Sequence, residues 1–379
     1  MRTPGLKKTI AAPPLAALAA ALLGLPLAGQ QLRITETAGI RRFSFPVTAS
    51  LPPQLAGRPV RLLRDGKPVQ AQVRGGEIDF NVSLGPYEHQ EFSVVPQETP
   101  APEAAASTVD RESDQFTVAY GESLHYIVPL NLLGLLRAVK TPRWDYLRPG
   151  SQGLLLRFRD DIIYRAGGFG PYGKATSASV VKQGPLDSVI EFSSTEALRG
   201  NYSVPSKVRM EFPRSKSWVK TTWTVEDPNG LLTGLGADLN LNLTSPPALV
   251  DFGAGTLVYT QLRPGQTAVL IGQPQSWQVL VGNEPYVTAK SGRAEGWAHV
   301  MDRERCTVVA VKDFGEREDR IEVASDGRLQ IWRSFRGSGE KAVTFWLHFV
   351  RMPVEIGAAT SPQSILAPLK IDWIWTNKN

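Results

Sequence analysis

The stretch FSFPVTASLPPQLAGRPVRLLRDGKPVQAQV, residues 43–73, carries two strand signatures around a proline-rich turn and closes in a hairpin. Phe43, Phe45 and Val47 alternate with Ser44, Pro46 and Thr48, the period of a strand with one buried face. Arg64-Asp65-Gly66-Lys67 reads as a tight turn, because Asp and Gly tolerate the positive φ that a two-residue loop demands. Val69, Ala71 and Val73 then return to pair with Val60 and Leu62. A small β-barrel over residues 30–98 is the expectation.

Upstream, residues 1–29 have the layout of a secretory leader. Arg2, Lys7 and Lys8 precede an Ala/Leu-rich run, and Ala28 and Gly29 are small residues ahead of the polar Gln30. Pro13, Pro14 and Pro26 interrupt the run, which falls short of the ~20 apolar residues of a spanning helix. The expected location is therefore secreted, periplasmic or cell-envelope, with no membrane span after cleavage. Cleavage after Gly29 removes three of 42 basic residues, leaving 39 against 36 acidic, a net of +3. So mild a balance excludes nucleic acid as a partner. Cys306 is the one cysteine and forms no internal disulfide; its apolar, β-branched neighbours make it a small buried strand residue.

Residues 99–112 are rich in Pro, Ala, Glu and Ser without apolar periodicity, as a linker is. Beyond them, residues 113–352 read as β almost throughout. In residues 218–225 Val219, Thr221, Trp223 and Val225 share one face and Lys220, Thr222 and Thr224 the other. Asp227-Pro228-Asn229-Gly230 follows as a turn. Leu239, Leu241 and Leu243 alternate with Asp238, Asn240 and Asn242. Only PLNLLGLLRAV, residues 129–139, has the pattern of a short helix, weakened by Gly134. Strands without alternating helices exclude a Rossmann or TIM-barrel fold. The class is all-β: a small N-terminal barrel, a large antiparallel β-sandwich, and a tail at residues 353–379.

The chain resembles the rhamnogalacturonan exolyase-like secreted proteins. The resemblance is carried by Phe45-Pro46-Val47 and residues 60–72 in the barrel. In the sandwich it is carried by Gly184-Pro185-Leu186, residues 223–228, Gly296-Trp297 and residues 308–314. It implies a RIFT-related barrel, a supersandwich and an α/α toroid. After Val350 too little sequence remains for the toroid, so a separate chain carrying it is an expected partner. The resemblance further implies an acidic, pectin-like polysaccharide or oligosaccharide as ligand.

Chemistry on such a ligand needs a cation to neutralise a uronate and a base to take the adjacent proton. The stretch RWDYLRPGSQGLLLRFRDDIIYRAGGFGPYGK, residues 143–174, mixes Trp144, Tyr146, Tyr164 and Tyr172 with Arg143, Arg148, Arg165 and Lys174. Aromatic faces stack on sugar rings and cations meet acidic groups. Arg143, Trp144, Tyr146, Tyr164, Arg165, Tyr172, Lys174 and Trp297 are the candidate carbohydrate-binding residues. His299, alternating with Trp297 on one strand face, and Tyr172 are the candidate catalytic bases. His348 is expected half-exposed and His89 in a loop. No cofactor or metal is expected: Asp160 and Asp161 point to opposite strand faces, and a solvated surface accounts for Asp238, Asn240 and Asn242 more simply than a Ca²⁺ site. Residues 316–326 read as an exposed charged hairpin. The function expected is an exported carbohydrate-interacting protein binding an acidic glycan, with a β-eliminating polysaccharide lyase and a structural envelope protein without a ligand as alternatives.

Overall fold

The structure, a computed structural model, describes residues 30–98, 108–120, 122–132, 135–166, 174–244, 248–352 and 361–374; the expected leader and most of the expected linker lie outside them. The all-β class and the antiparallel sandwich are both present. A nine-stranded sheet runs Lys174–Gln183, Asp187–Ala197, Ser203–Pro213, Trp218–Asp227, Gly339–Arg351, Arg305–Val311, Trp297–Met301, Leu249–Gly253, Leu257–Gln261. It faces an eight-stranded sheet whose middle strands are Leu232–Asn240, Arg328–Ser334, Asp319–Ala324 and Thr267–Gln273.

Period-2 patterning explains the core between these sheets. Val219, Thr221, Trp223 and Val225 point inward and are buried, as the alternation requires, while Lys220, Thr222 and Thr224 face outward and are half-buried. Trp223 is fully buried, and its indole N–H donates to Ser206 Oγ at 2.8 Å. Asp227 ends the strand, accepting the Leu231 and Leu232 N–H groups at 3.1 and 2.9 Å around Gly230, whose φ is +66°.

In the lead module a five-stranded and a three-stranded sheet enclose a core of Leu32, Ile34, Leu62, Phe80, Val82, Phe92 and Val94. The Asp-Gly turn is present, with φ of +51° at Asp65 and +75° at Gly66. Leu62 pairs with Val69, but Ala71–Arg74 crosses to the other sheet and pairs with Glu77–Leu84. Nothing in this pairing identifies the module as RIFT-type. The alternation of Phe43, Phe45 and Val47 is broken by a bulge: Arg42 pairs with Leu84, the next partnered residue is Phe45 with Val82, and Ser44 has φ +41°. The bulge turns Arg42 inward, 1% exposed, and leaves Phe43 half-exposed.

Several other expectations fail for physical reasons. Residues 129–139 hold no helix among the described residues; Leu132 and Leu135 have φ of +53° and +62°, which a right-handed helix does not allow. The charged run is not an exposed hairpin, since Asp319–Ala324 is an interior strand that buries Ile321 and Val323 and pairs Asp319 with Arg333. Asp238 is buried and accepts from Arg328 and Gln330 at 2.6 and 2.7 Å, so the row with Asn240 and Asn242 is not a solvated face. The expected tail contains a helix, Ser361–Leu366, and a strand, Lys370–Ile374, that pairs with Gln30–Thr35 in the lead module.

That helix sits on the outer face of the nine-stranded sheet, where Ile365 and Phe45 pack with Trp218, Trp297 and Ala310. Arg42 holds it from the lead module, donating to Ser364 O and to Ala367 O at 2.6 Å, with Glu36 Oε1 at 3.1 Å. Among the described residues no helix is long and apolar enough to cross a membrane.

Candidate functional site

Outward residues of the nine-stranded sheet line up in rows across the strands. One row is Asp251, His299, Val308, His348 and Trp218; the next is Gly253, Trp297, Ala310, Trp346 and Lys220. The register thus sets a histidine beside a carboxylate and a tryptophan beside a glycine. A Cβ on Gly253 would strike the Trp297 indole, so the glycine lets the ring lie over the neighbouring backbone.

A cavity of about 310 Å³ opens here, lined by Asp251, Leu257, Glu295, Trp297, His299, Met301 and Gln363. His299 Nδ1 lies 3.1 Å from Asp251 Oδ1. A carboxylate only accepts, so Nδ1 carries a proton, and in the neutral ring Nε2 presents a lone pair. His299 is 6% exposed, and Nε2 is buried without a hydrogen-bond partner. Gln363 Oε1, from the C-terminal helix, is likewise buried and unpartnered. The Trp297 indole N–H donates to Glu295 Oε2 at 2.7 Å. Beneath the cavity His348 is 6% exposed rather than half-exposed, because the lead module and the helix cover this face. Burial, with Lys216 and His299 adding to it, pushes its pKa down to about 3, so the ring is neutral.

Among the described residues expected at the site, the structure brings Trp297 and His299 together on one strand, and Arg143 and Trp144 together elsewhere. Tyr146 is a core residue, 5.4 Å ring to ring from Phe349. Trp144 packs half-buried against the core between the guanidinium groups of Arg143 and Arg305. Tyr164 packs against Phe158, and Arg165 is exposed on the outermost strand of the eight-stranded sheet. Lys174 begins the outermost strand of the other sheet. Tyr172 lies outside the described residues. Among the described residues of this stretch, Tyr146 lies in the core, Trp144 and Tyr164 pack against it, and Arg143 and Arg165 lie on different elements. The sequence reading missed Asp251, Glu295 and Gln363. Alternation alone could place Asp251 on an outward face, but only the cross-strand register places it beside His299.

A second cavity, of about 270 Å³, lies between the lead module and the sandwich, walled by Phe45, Trp218, Trp346 and Ile365. At its edge Lys182 bridges Asp79 at 2.5 Å and Asp187 at 2.9 Å. Among the described residues no group of three or more His, Cys, Asp or Glu side chains is placed to hold a metal.

No family model matches the chain, and no curated protein does. Among solved structures it is similar to a protein in glycosyl hydrolase family 38 from Enterococcus faecalis, with a TM-score of 0.60 and 12% identity over 95% of this chain and 50% of that one. It is also similar to an alpha-mannosidase from Enterococcus faecalis V583, with a TM-score of 0.58 and 11% identity over 95% of this chain and 48% of the other. At these identities the likeness is one of fold, and the chain spans about half the length of either structure. These findings overturn the resemblance to rhamnogalacturonan exolyase-like proteins: the strand and turn patterns that carried it are common to β-sandwiches and do not discriminate among them.

Proposed function

We propose that this is an exported carbohydrate-binding protein whose sugar site is the Trp297–His299 cavity. The observation that carries the reading is His299 Nε2, fixed as an acceptor by Asp251 and left without a partner inside a cavity with an indole wall. An unpaired buried nitrogen costs about 1–3 kcal/mol, which a ligand hydroxyl bound there would offset. Trp297, 3% exposed, forms part of the cavity wall, and polar groups beside it would fix a ligand's orientation. A fold shared with half of a glycosyl hydrolase family 38 chain supports the same reading. Among the described residues the lining side chains include two carboxylates and no Lys or Arg, which argues against an acidic glycan at this site. Export is supported by the basic start and Ala/Leu-rich run of residues 1–29, and N-terminal sequencing of the mature protein tests it.

Titration of purified protein with hexoses and short oligosaccharides, followed by calorimetry, tests the site. Trp297→Ala is expected to weaken binding at least ten-fold, about 1.4 kcal/mol, with the circular dichroism spectrum retained. Binding that survives this change moves the site elsewhere, and no binding to any saccharide leaves an envelope protein without a ligand. A second reading is turnover of the bound sugar, favoured by the Asp251–His299 pair, which is arranged as a general base. NMR of a bound saccharide over time, with His299→Asn as control, decides it.

A further inference from the structure

The polar side chains lining the Trp297–His299 cavity are Asp251, Glu295, His299 and Gln363. Each of the four carries at least one acceptor atom. Asp251 and Glu295 are carboxylates, each holding one protein donor, from His299 and from the Trp297 indole. His299 donates from Nδ1 to Asp251, and in the neutral ring its buried, unpartnered Nε2 is an acceptor in a side chain 6% exposed. Gln363 contributes Oε1, also buried and unpartnered. Among the described residues no lining cation balances the two carboxylates. Arg293, two residues from Glu295, is taken up by Phe314 O at 2.7 Å and Glu316 Oε1 at 3.3 Å.

A hydroxyl suits such a ring of acceptors poorly. It donates once and turns two lone pairs toward the remaining acceptors. A primary ammonium donates three times, accepts nothing and carries the charge the carboxylates lack. An acetamido group gives one donor and adds a carbonyl acceptor. We propose that the natural occupant is a saccharide with a free, protonated amine, a hexosamine unit, its nitrogen among Asp251, Glu295, His299 Nε2 and Gln363 Oε1. This rests on reading the cavity as a sugar site and adds the class of sugar.

The test compares D-glucosamine, D-galactosamine and D-mannosamine, each with its parent hexose and its N-acetyl derivative, by calorimetry near neutral pH. Within at least one stereochemical series the amine is expected to bind ten-fold or more tighter than both relatives, and less tightly as salt is raised. Glu295→Gln, a change at an exposed residue, is expected to cut the preference for amine over hexose at least three-fold. Amines that bind no better than their parent hexoses in every series overturn the amine assignment and leave the sugar site standing. Cyclohexylamine binding as tightly as the best hexosamine, or no binding by any sugar, overturns the sugar reading and the proposal with it.

Discussion

Replacing Arg42 by Met should release the C-terminal helix while the sandwich stays folded. The guanidinium is buried and donates to Ser364 O in the helix and to Ala367 O just past its end. Hydrogen bonds to a charged group contribute about 1.5–3 kcal/mol each, and removing one partner of a buried ion pair costs about 3–5 kcal/mol. Two features place the loss at the low end. Glu36 is not stranded, because the N–H groups of Ala38, Gly39, Ile40 and Tyr87 donate to it at 3.0, 2.7, 3.1 and 3.2 Å. Arg42 Nε has no partner as it stands, so methionine removes an existing cost. The expected loss is about 3 kcal/mol, which corresponds to roughly hundred-fold faster local opening. Hydrogen exchange of the Ala367 amide, which donates to Gln363 O at 2.9 Å, reads that opening directly. Sugar affinity should fall in parallel, because the same helix brings Gln363 to the cavity. Exchange unchanged within two-fold in Arg42→Met would falsify the clamp.

Other expectations follow from the same packing. His348 has its pKa pushed down to about 3 by burial, so the unfolded chain takes up a proton below about 6.5 that the native ring refuses; stability should drop by about 1.4 kcal/mol per pH unit from 6.5 toward 3. Urea midpoints across that range should show a shallower slope in His348→Leu, and an unchanged slope would refute the assignment. Trp223→Ala opens a large void in the sandwich core and strands Ser206, a loss of about 3–5 kcal/mol in equilibrium unfolding. Burial pushes the Cys306 thiol up, so a thiol reagent at pH 8 should label it only after denaturation.

Alternation made the strands legible, and it also concealed the site. Val219 to Val225 could be assigned faces from spacing alone, because both cores obey a period of 2. The bulge at Ser44 was not legible, since nothing in Phe-Ser-Phe-Pro signals an extra residue, and it reversed the facing of Arg42 and Phe43. Trp297 and His299 could be grouped from the sequence because they sit two apart on one strand. Asp251 is 48 residues from His299 and Gln363 is on another element, so only register and tertiary packing join them. His348 was misjudged because a sheet face looks solvated in sequence whether or not another module covers it. In residues 143–166 the same ambiguity runs the other way: the aromatic pattern of a binding surface is also that of Tyr146 in the core and of Trp144 and Tyr164 packed against it.

The pairing of Gln30–Thr35 with Lys370–Ile374 also bears on biogenesis. These two strands are neighbours in the finished sheet, yet one leaves the ribosome early and the other near the end of the described chain. At about 5–20 residues per second, that edge stays unpaired for roughly 15–70 s of synthesis. An open apolar edge is a template for intermolecular pairing, so the nascent lead module is the part of the molecule most in need of a chaperone. Late closure of this sheet goes with late completion of the cavity, since Gln363 comes from the helix that immediately precedes Lys370–Ile374.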